Sequence, residues 1–232
     1  MGSDAIISLL VLVVVAAAVI FFGIKKQPGI GIISAILIIG VSLFLRGKSI
    51  TSIGLQPPEN WGATAFWSLG LGIVIALMST AIIEPLTEKV TDQPHDLTVF
   101  DNMRGNLKLL IVWLLTSWVL ASFLEEIIFR GYMMSELGSF TGKYGLGASI
   151  NLLLSSTVFG LAHWYQGKSG ALSTAIVGML ICNIFIWNDY NLWLPILTHG
   201  VINTVGLVLI YTELDGKIRK SIWKVPQLSK SK

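Results

Sequence analysis

The sequence is poor in charge, and that shortage decides its class. Asp, Glu, Lys and Arg together make up 12% of the 232 residues, while 53% are hydrophobic. Soluble domains carry about 25% charge, so a water-exposed globule is excluded and an integral membrane protein is expected. Mean hydropathy is +0.75. Cysteine is nearly absent. The single Cys182 rules out a disulfide framework and any Cys-x-x-Cys metal site, and in its apolar stretch it reads as a packing residue. A net charge of +3 is small and says little about nucleic acid, which is not among the expected partners. There is no His-Glu-x-x-His helix, the strongest sequence signature of a zinc protease. Internal repeats and low-complexity segments are also missing.

What is present is a series of long apolar runs. Candidate spans fall at about Ala5–Ile24, Ile30–Leu45, Ala65–Ile83, Leu107–Ile128, Leu146–His163, Ala171–Trp187 and Leu192–Tyr211. About 20 apolar residues cross a bilayer as a helix. Lipid leaves helices as the natural solution for such runs, because each backbone group must be satisfied internally. The fold expected is all-α, a polytopic membrane bundle of about seven (six to eight) transmembrane helices. The whole chain, residues 1–232, reads as a single integral-membrane domain. No basic residue precedes the first run, so it reads as a retained helix and not as a cleaved signal. Turn formers separate the runs at Lys25–Gly29, Pro57–Asn60 and Asn188–Asn191. The longest link, Glu84–Asn106, contains Pro85 and Pro94 and suggests a surface loop with a short interfacial helix.

The basic residues predict an orientation. With the amino terminus outside, twelve of the sixteen Lys and Arg fall inside, among them Lys25, Lys26, Arg104 and the tail residues Lys217 to Lys232. Only Arg46, Lys48, Arg130 and Lys143 fall outside. The positive-inside rule then places the carboxyl terminus in the cytoplasm.

Against this background a few polar residues stand out. Residues 123–130 read Phe-Leu-Glu-Glu-Ile-Ile-Phe-Arg, inside an apolar run. A charge at the bilayer centre costs roughly 2.5–3.5 kcal/mol on insertion scales, and such residues usually face a polar cavity or each other. Glu126 and Arg130 are four residues apart, as are Phe159 and His163, and His199 and Asn203; each pair therefore shares a helix face. Glu125 lies about as far before the Gly142–Gly145 turn as His163 lies after it. At about 1.5 Å per residue an antiparallel hairpin brings them to similar depth. His199 and Asn203 enter from the same face, so one convergent cluster is expected. A helix from Leu107 to about Phe140 is too long for a ~30 Å core unless tilted. It is therefore expected to project from the membrane or to break near Gly131.

Each feature has a plain structural reading as well. A lone intramembrane His can serve only as a hydrogen-bond partner between helices, and Gly160, Gly200 and Gly206 suit close helix packing. The Glu126–Arg130 pair taken alone could be a staple. The set argues otherwise, since two Glu, two His and an Asn make a poor packing core. A carboxylate near an imidazole can activate water as a general base. A second imidazole with a carboxamide can donate hydrogen bonds to a developing oxyanion. That combination suits amide hydrolysis. Two His and one Glu are also hydrolytic zinc ligands, so a divalent metal at the same residues stays open.

Glu125-Glu126-xxx-Arg130, Phe159-xxx-His163 and His199-xxx-Asn203, in that order on successive apolar helices, resemble the CAAX protease and bacteriocin-processing family of intramembrane proteases. This abortive-infection family includes the type II CAAX prenyl endopeptidases. The motifs occupy about residues 120–210, within a core of about 107–211. The resemblance implies a membrane endopeptidase whose cavity opens toward the cytoplasm. It implies that Glu125 and His163 activate water, that His199 and Asn203 stabilise the oxyanion, and that Glu126, Arg130 and Phe159 support them. The family carries both a metalloprotease label and a metal-free glutamate mechanism. A metal here would be zinc held by Glu125, His163 and His199. The implied partners are the lipid bilayer and a peptide or protein substrate, lipid-modified in the prenyl-protease branch. The alternative reading is a non-catalytic scaffold or regulator of the same fold. A small transporter fits less well, because inverted repeats are absent.

Overall fold

A computed structural model describes residues 3–223. Among the described residues there are eight helices and no strand: α1 Ser3–Ile24, α2 Pro28–Leu45, α3 Trp61–Thr91, α4 Leu107–Thr141, α5 Gly145–Ala162, α6 Gly167–Trp187, α7 Trp193–Tyr211 and α8 Leu214–Trp223. The first seven are long and apolar enough to cross a membrane. Large apolar side chains line the outside of the bundle. Phe44, Phe66 and Leu115 are 84%, 71% and 65% exposed, which suits contact with lipid tails and not with water.

Local chemistry sets the helix starts. Pro28 opens α2, where its missing N–H costs nothing. Asn60 and Asn106 accept from the backbone N–H of Ala63 (3.0 Å) and Leu109 (3.3 Å), capping α3 and α4. Between α6 and α7 the chain reverses through Asp189 and Tyr190, both at positive φ, and the Tyr190 hydroxyl donates to the Lys143 carbonyl.

α3 packs along α7, α5 along α6 and α1 along α2. Small residues allow the close crossings. At Gly160 a Cβ would sit 2.5 Å from the Ala171 carbonyl oxygen and 2.7 Å from Ala175 Cβ, so only glycine lets α5 and α6 approach this closely. Gly200 is a packing position too, whereas Gly206 has no neighbour within 4 Å of a Cβ and faces the internal cavity.

One expectation about a helix end is corrected, and of the two alternatives given for α4 one is excluded. α3 does not stop at Ile83; it continues to Thr91 and takes Glu84 and Pro85 into the helix. A widened π turn at Ser79–Ile83 precedes the proline. The Ala81 carbonyl, four residues before Pro85 and therefore without its usual N–H partner, accepts instead from Trp223 Nε1 at 2.7 Å. The link to α4 shrinks to residues 92–106 and holds a 3₁₀ turn, Thr98–Met103. Nor does α4 break at Gly131. It runs 35 residues, with π geometry over Ser117–Glu125 and Ile127–Met133. A Cβ on Gly131 would lie 3.0 Å from the Ile53 carbonyl oxygen and from Leu192 Cδ1, so this glycine serves close approach and not a kink.

The far end of α4 is anchored by charge. Glu136, 3% exposed, accepts from Arg46 and Lys48, each at 3.0 Å, and from the Ser8 hydroxyl. Arg46 also holds Asp4 at 2.6 Å. α1, the end of α2 and α4 are thus joined at one buried carboxylate. Removing one partner of a buried pair costs roughly 3–5 kcal/mol. Glu136→Ala should therefore lower the melting temperature in detergent well beyond an exposed control such as Glu59→Ala. Equal melting temperatures for the two variants would contradict the anchoring role.

Candidate active site

α4 presents consecutive carboxylates to the interior. The π turns around them widen the helix and reduce the rotation between neighbouring residues, so Glu125 and Glu126 both face inward. They meet different partners. Glu126 Oε1 accepts from Arg130 Nη1 at 2.9 Å and from His199 Nδ1 at 2.7 Å. Arg130 is fully buried, donates from Nη2 to the Gly178 carbonyl at 3.1 Å, and lies 4.5 Å over the Phe159 ring. This supplies the counter-charge that a guanidinium needs in lipid, with Nε alone left without a hydrogen bond.

Glu125 has no such partner. It is 5% exposed, and its Oε2 is buried without a hydrogen bond. Its Oε1 lies 3.8 Å from His163 Nε2, too far for a direct bond and suited to a bridging water. His163 ends α5, and its Nδ1 donates to the Phe159 carbonyl at 2.8 Å, so Nε2 faces Glu125 with its lone pair. Phe159 packs edge-on to both imidazoles, with ring centroids 4.7 Å from His163 and 6.1 Å from His199.

Glu125, Phe159, His163, His199 and Asn203 line one cavity of about 460 Å³. The structure therefore brings together all the residues the spacing singled out, with Glu126 and Arg130 buried directly behind them. Two neighbours went unread in the sequence. Trp118 lies flat against α7 in the space that Gly200 leaves open, and its Nε1 donates to Thr204 Oγ1 at 3.1 Å. It braces the turn that carries His199 and Asn203. Gln166, on the 3₁₀ turn directly after His163, reaches the His95 side chain of the 92–106 link. Nothing in hydrophobic periodicity marks either contact, because both join distant segments.

The two imidazoles and Glu125 form a zinc-type donor set, with each Nδ1 already held by a carbonyl or carboxylate as metal-binding histidines usually are. Among the described residues, however, no three His, Cys, Asp or Glu side chains are grouped so that they could hold one ion.

Fold and site define a polytopic membrane protein with a carboxylate–imidazole cluster at the wall of an internal cavity. The model of the family described as Type II CAAX prenyl endopeptidase Rce1-like matches residues 107–205, from the start of α4 to just past Asn203. Over that segment, less than half of its length, the chain is similar to this family of CAAX-type membrane endopeptidases. No curated protein and no solved structure matches the chain.

Truncating Arg130 should show how much the cluster depends on its counter-charge. Arg130→Ala leaves Glu126 buried with one cation fewer and should destabilise the fold by roughly 3–5 kcal/mol. Denaturation in detergent reads the effect. A loss no larger than that of a surface substitution would mean that the pair is not a buried ion pair.

Proposed function

We propose that the protein is an intramembrane endopeptidase in which Glu125 and His163 activate a water molecule against a peptide carbonyl. The observation that carries this reading is the 3.8 Å gap between Glu125 Oε1 and His163 Nε2, beside a buried Glu125 oxygen that lacks any partner. A water in that gap donates one hydrogen bond to each group. As its oxygen attacks the carbonyl carbon, its proton passes to Glu125. The negative charge that develops on the carbonyl oxygen is received by Asn203 Nδ2 and His199 Nε2. His199 already donates from Nδ1 to Glu126. Its Nε2 therefore donates only as an imidazolium, and the Glu126 carboxylate at 2.7 Å supplies the matching charge. When the intermediate collapses, the C–N bond breaks and Glu125 returns its proton to the leaving nitrogen.

The substrate is a peptide or protein segment reaching the cavity from the bilayer, and a lipid-modified chain suits its largely apolar walls. The face that carries α8, the 92–106 link and Gln166 is the cytoplasmic one, and the cavity opens toward it. The bias of Lys and Arg supports this orientation. Lys224, Lys230 and Lys232, which contribute to that bias, lie outside the described residues.

Glu125→Gln should insert and fold normally yet lose peptide cleavage by on the order of a hundredfold or more, the usual worth of a general base. Asn203→Ala should lower kcat by a similar factor by removing one oxyanion donor. Near-normal turnover in Glu125→Gln would remove the assignment. For orientation, a cysteine at exposed Glu59 should react with an impermeant thiol reagent added to intact cells, while one at Lys220 should be shielded. Ser229, on the same expected side as Lys220, lies outside the described residues. Labelling of Lys220→Cys and protection of Glu59→Cys would reverse the orientation.

A further inference from the structure

The cavity has a second polar group that the hydrolytic mechanism does not use. Glu84 on α3 and His95 on the 92–106 link both line it. The His95 side chain is 8% exposed and is fixed from three sides. Its backbone N–H donates to Glu88 Oε1 at 2.9 Å, and its Nε2 lies 3.2 Å from Gln166 Oε1. The ring rests against Gly170, where a Cβ would come within 3.1 Å of Cδ2 and Nε2. Gln166 Oε1 also receives the Thr174 hydroxyl, so it is an acceptor and His95 Nε2 is the donor. His95 Nδ1 is then a lone-pair acceptor, buried and without a hydrogen-bond partner. It lies 3.9 Å from Glu84 Oε2, while Glu84 Oε1 accepts from Ser79 Oγ at 3.2 Å.

Two acceptors side by side, with no donor between them, call for a ligand that brings N–H groups. The charge around them points the same way. Among the described residues no Lys or Arg lines the cavity. Arg130 is committed to Glu126, Arg219 to Glu88 and the exposed Lys26 to Asp96. Because Gln166 follows His163 by three residues, the pair sits beside the hydrolytic group, within reach of the same extended peptide.

We infer that Glu84 and His95 form a recognition subsite for a cationic side chain, Lys or Arg, on the peptide substrate. The ammonium or guanidinium donates to Glu84 Oε2 and to His95 Nδ1, and the bond to the carboxylate is charge-assisted. This assignment rests on the endopeptidase reading for the identity of the ligand as a peptide. A free peptide amino terminus has the same chemistry, and acetylated peptides separate the two sources.

The test uses the full chain in nanodiscs of zwitterionic phosphatidylcholine. Fluorescent, N-acetylated apolar peptides carry Lys, Arg, norleucine or Glu at one position, scanned along the sequence. Both affinity and kcat/KM are measured. At the best position, Lys or Arg should be preferred over norleucine by at least about tenfold, the scale of a hydrogen bond to a charged group. Glu84→Gln should bring that ratio close to one. If Glu84→Gln does not fold, His95→Phe keeps the ring volume, removes the acceptor and should reduce the ratio severalfold. Wild-type ratios near one at every position would overturn the subsite; they are also the result expected if His95 and Glu84 merely pair with each other. A preference that survives in Glu84→Gln would overturn it as well, and a preference seen only with free amino termini would assign the pair to a peptide terminus instead. A basic preference in binding without cleavage of any peptide would keep the subsite and remove the endopeptidase reading.

Discussion

Glu126 Oε1 accepts simultaneously from Arg130 Nη1 and His199 Nδ1, and the geometry of the cavity wall follows from that one oxygen. Without it a fully buried guanidinium would stand uncompensated at membrane depth, a cost of several kcal/mol. With it, three helices are fixed relative to one another. Arg130 reaches from α4 to the Gly178 carbonyl of α6, and His199 is held from α7. The orientation of one imidazole at the cavity therefore depends on a charge balance set on another helix. Arg130 over the Phe159 ring extends the same constraint to α5, where Phe159 positions His163 through its carbonyl.

Adjacent carboxylates take different roles because the backbone beneath them is unusual. On a regular α-helix, Glu125 and Glu126 would diverge by about 100°. In the widened stretches of α4 both point inward, Glu126 toward the ion group and Glu125 toward the cavity. Each carboxylate keeps one buried oxygen without a partner; what separates them is that Glu126 Oε1 is held by Arg130 and His199, while neither oxygen of Glu125 accepts a hydrogen bond. Trp118, filling the space beside Gly200, braces α7 from the α4 side of the same contact. Buried polar groups that lack partners are uncommon in native proteins. Two of them, on Glu125 and on His95, belong to residues that line this cavity.

Much of this was legible in the residues because it rests on local spacing. The i, i+4 relations of Glu126 with Arg130, and of His199 with Asn203, need only a helix. The common depth of Glu125 and His163 follows from the hairpin arithmetic around Gly142. What escaped depends on contacts between distant segments. Pro85 and Glu84 look like the start of a loop, and only the Trp223 indole, far along the chain, shows why the helix can continue past them. The π geometry of α4 leaves no periodic trace in an apolar run that is hydrophobic on every side. The Glu136 anchor joins residues 88 to 128 positions apart. His95 in its polar link carries no pattern that would place it at the cavity.

We propose that this cluster hydrolyses peptide bonds with its own side chains. The most direct measurement is mass spectrometry of membrane peptides incubated with purified protein in heavy-oxygen water, after exhaustive chelation and with metal content quantified. Cleavage should persist, with one heavy oxygen in each newly formed carboxyl terminus, and it should vanish in Glu125→Gln. Cleavage that disappears on chelation and returns with stoichiometric zinc bound at Glu125, His163 and His199 would contradict the account.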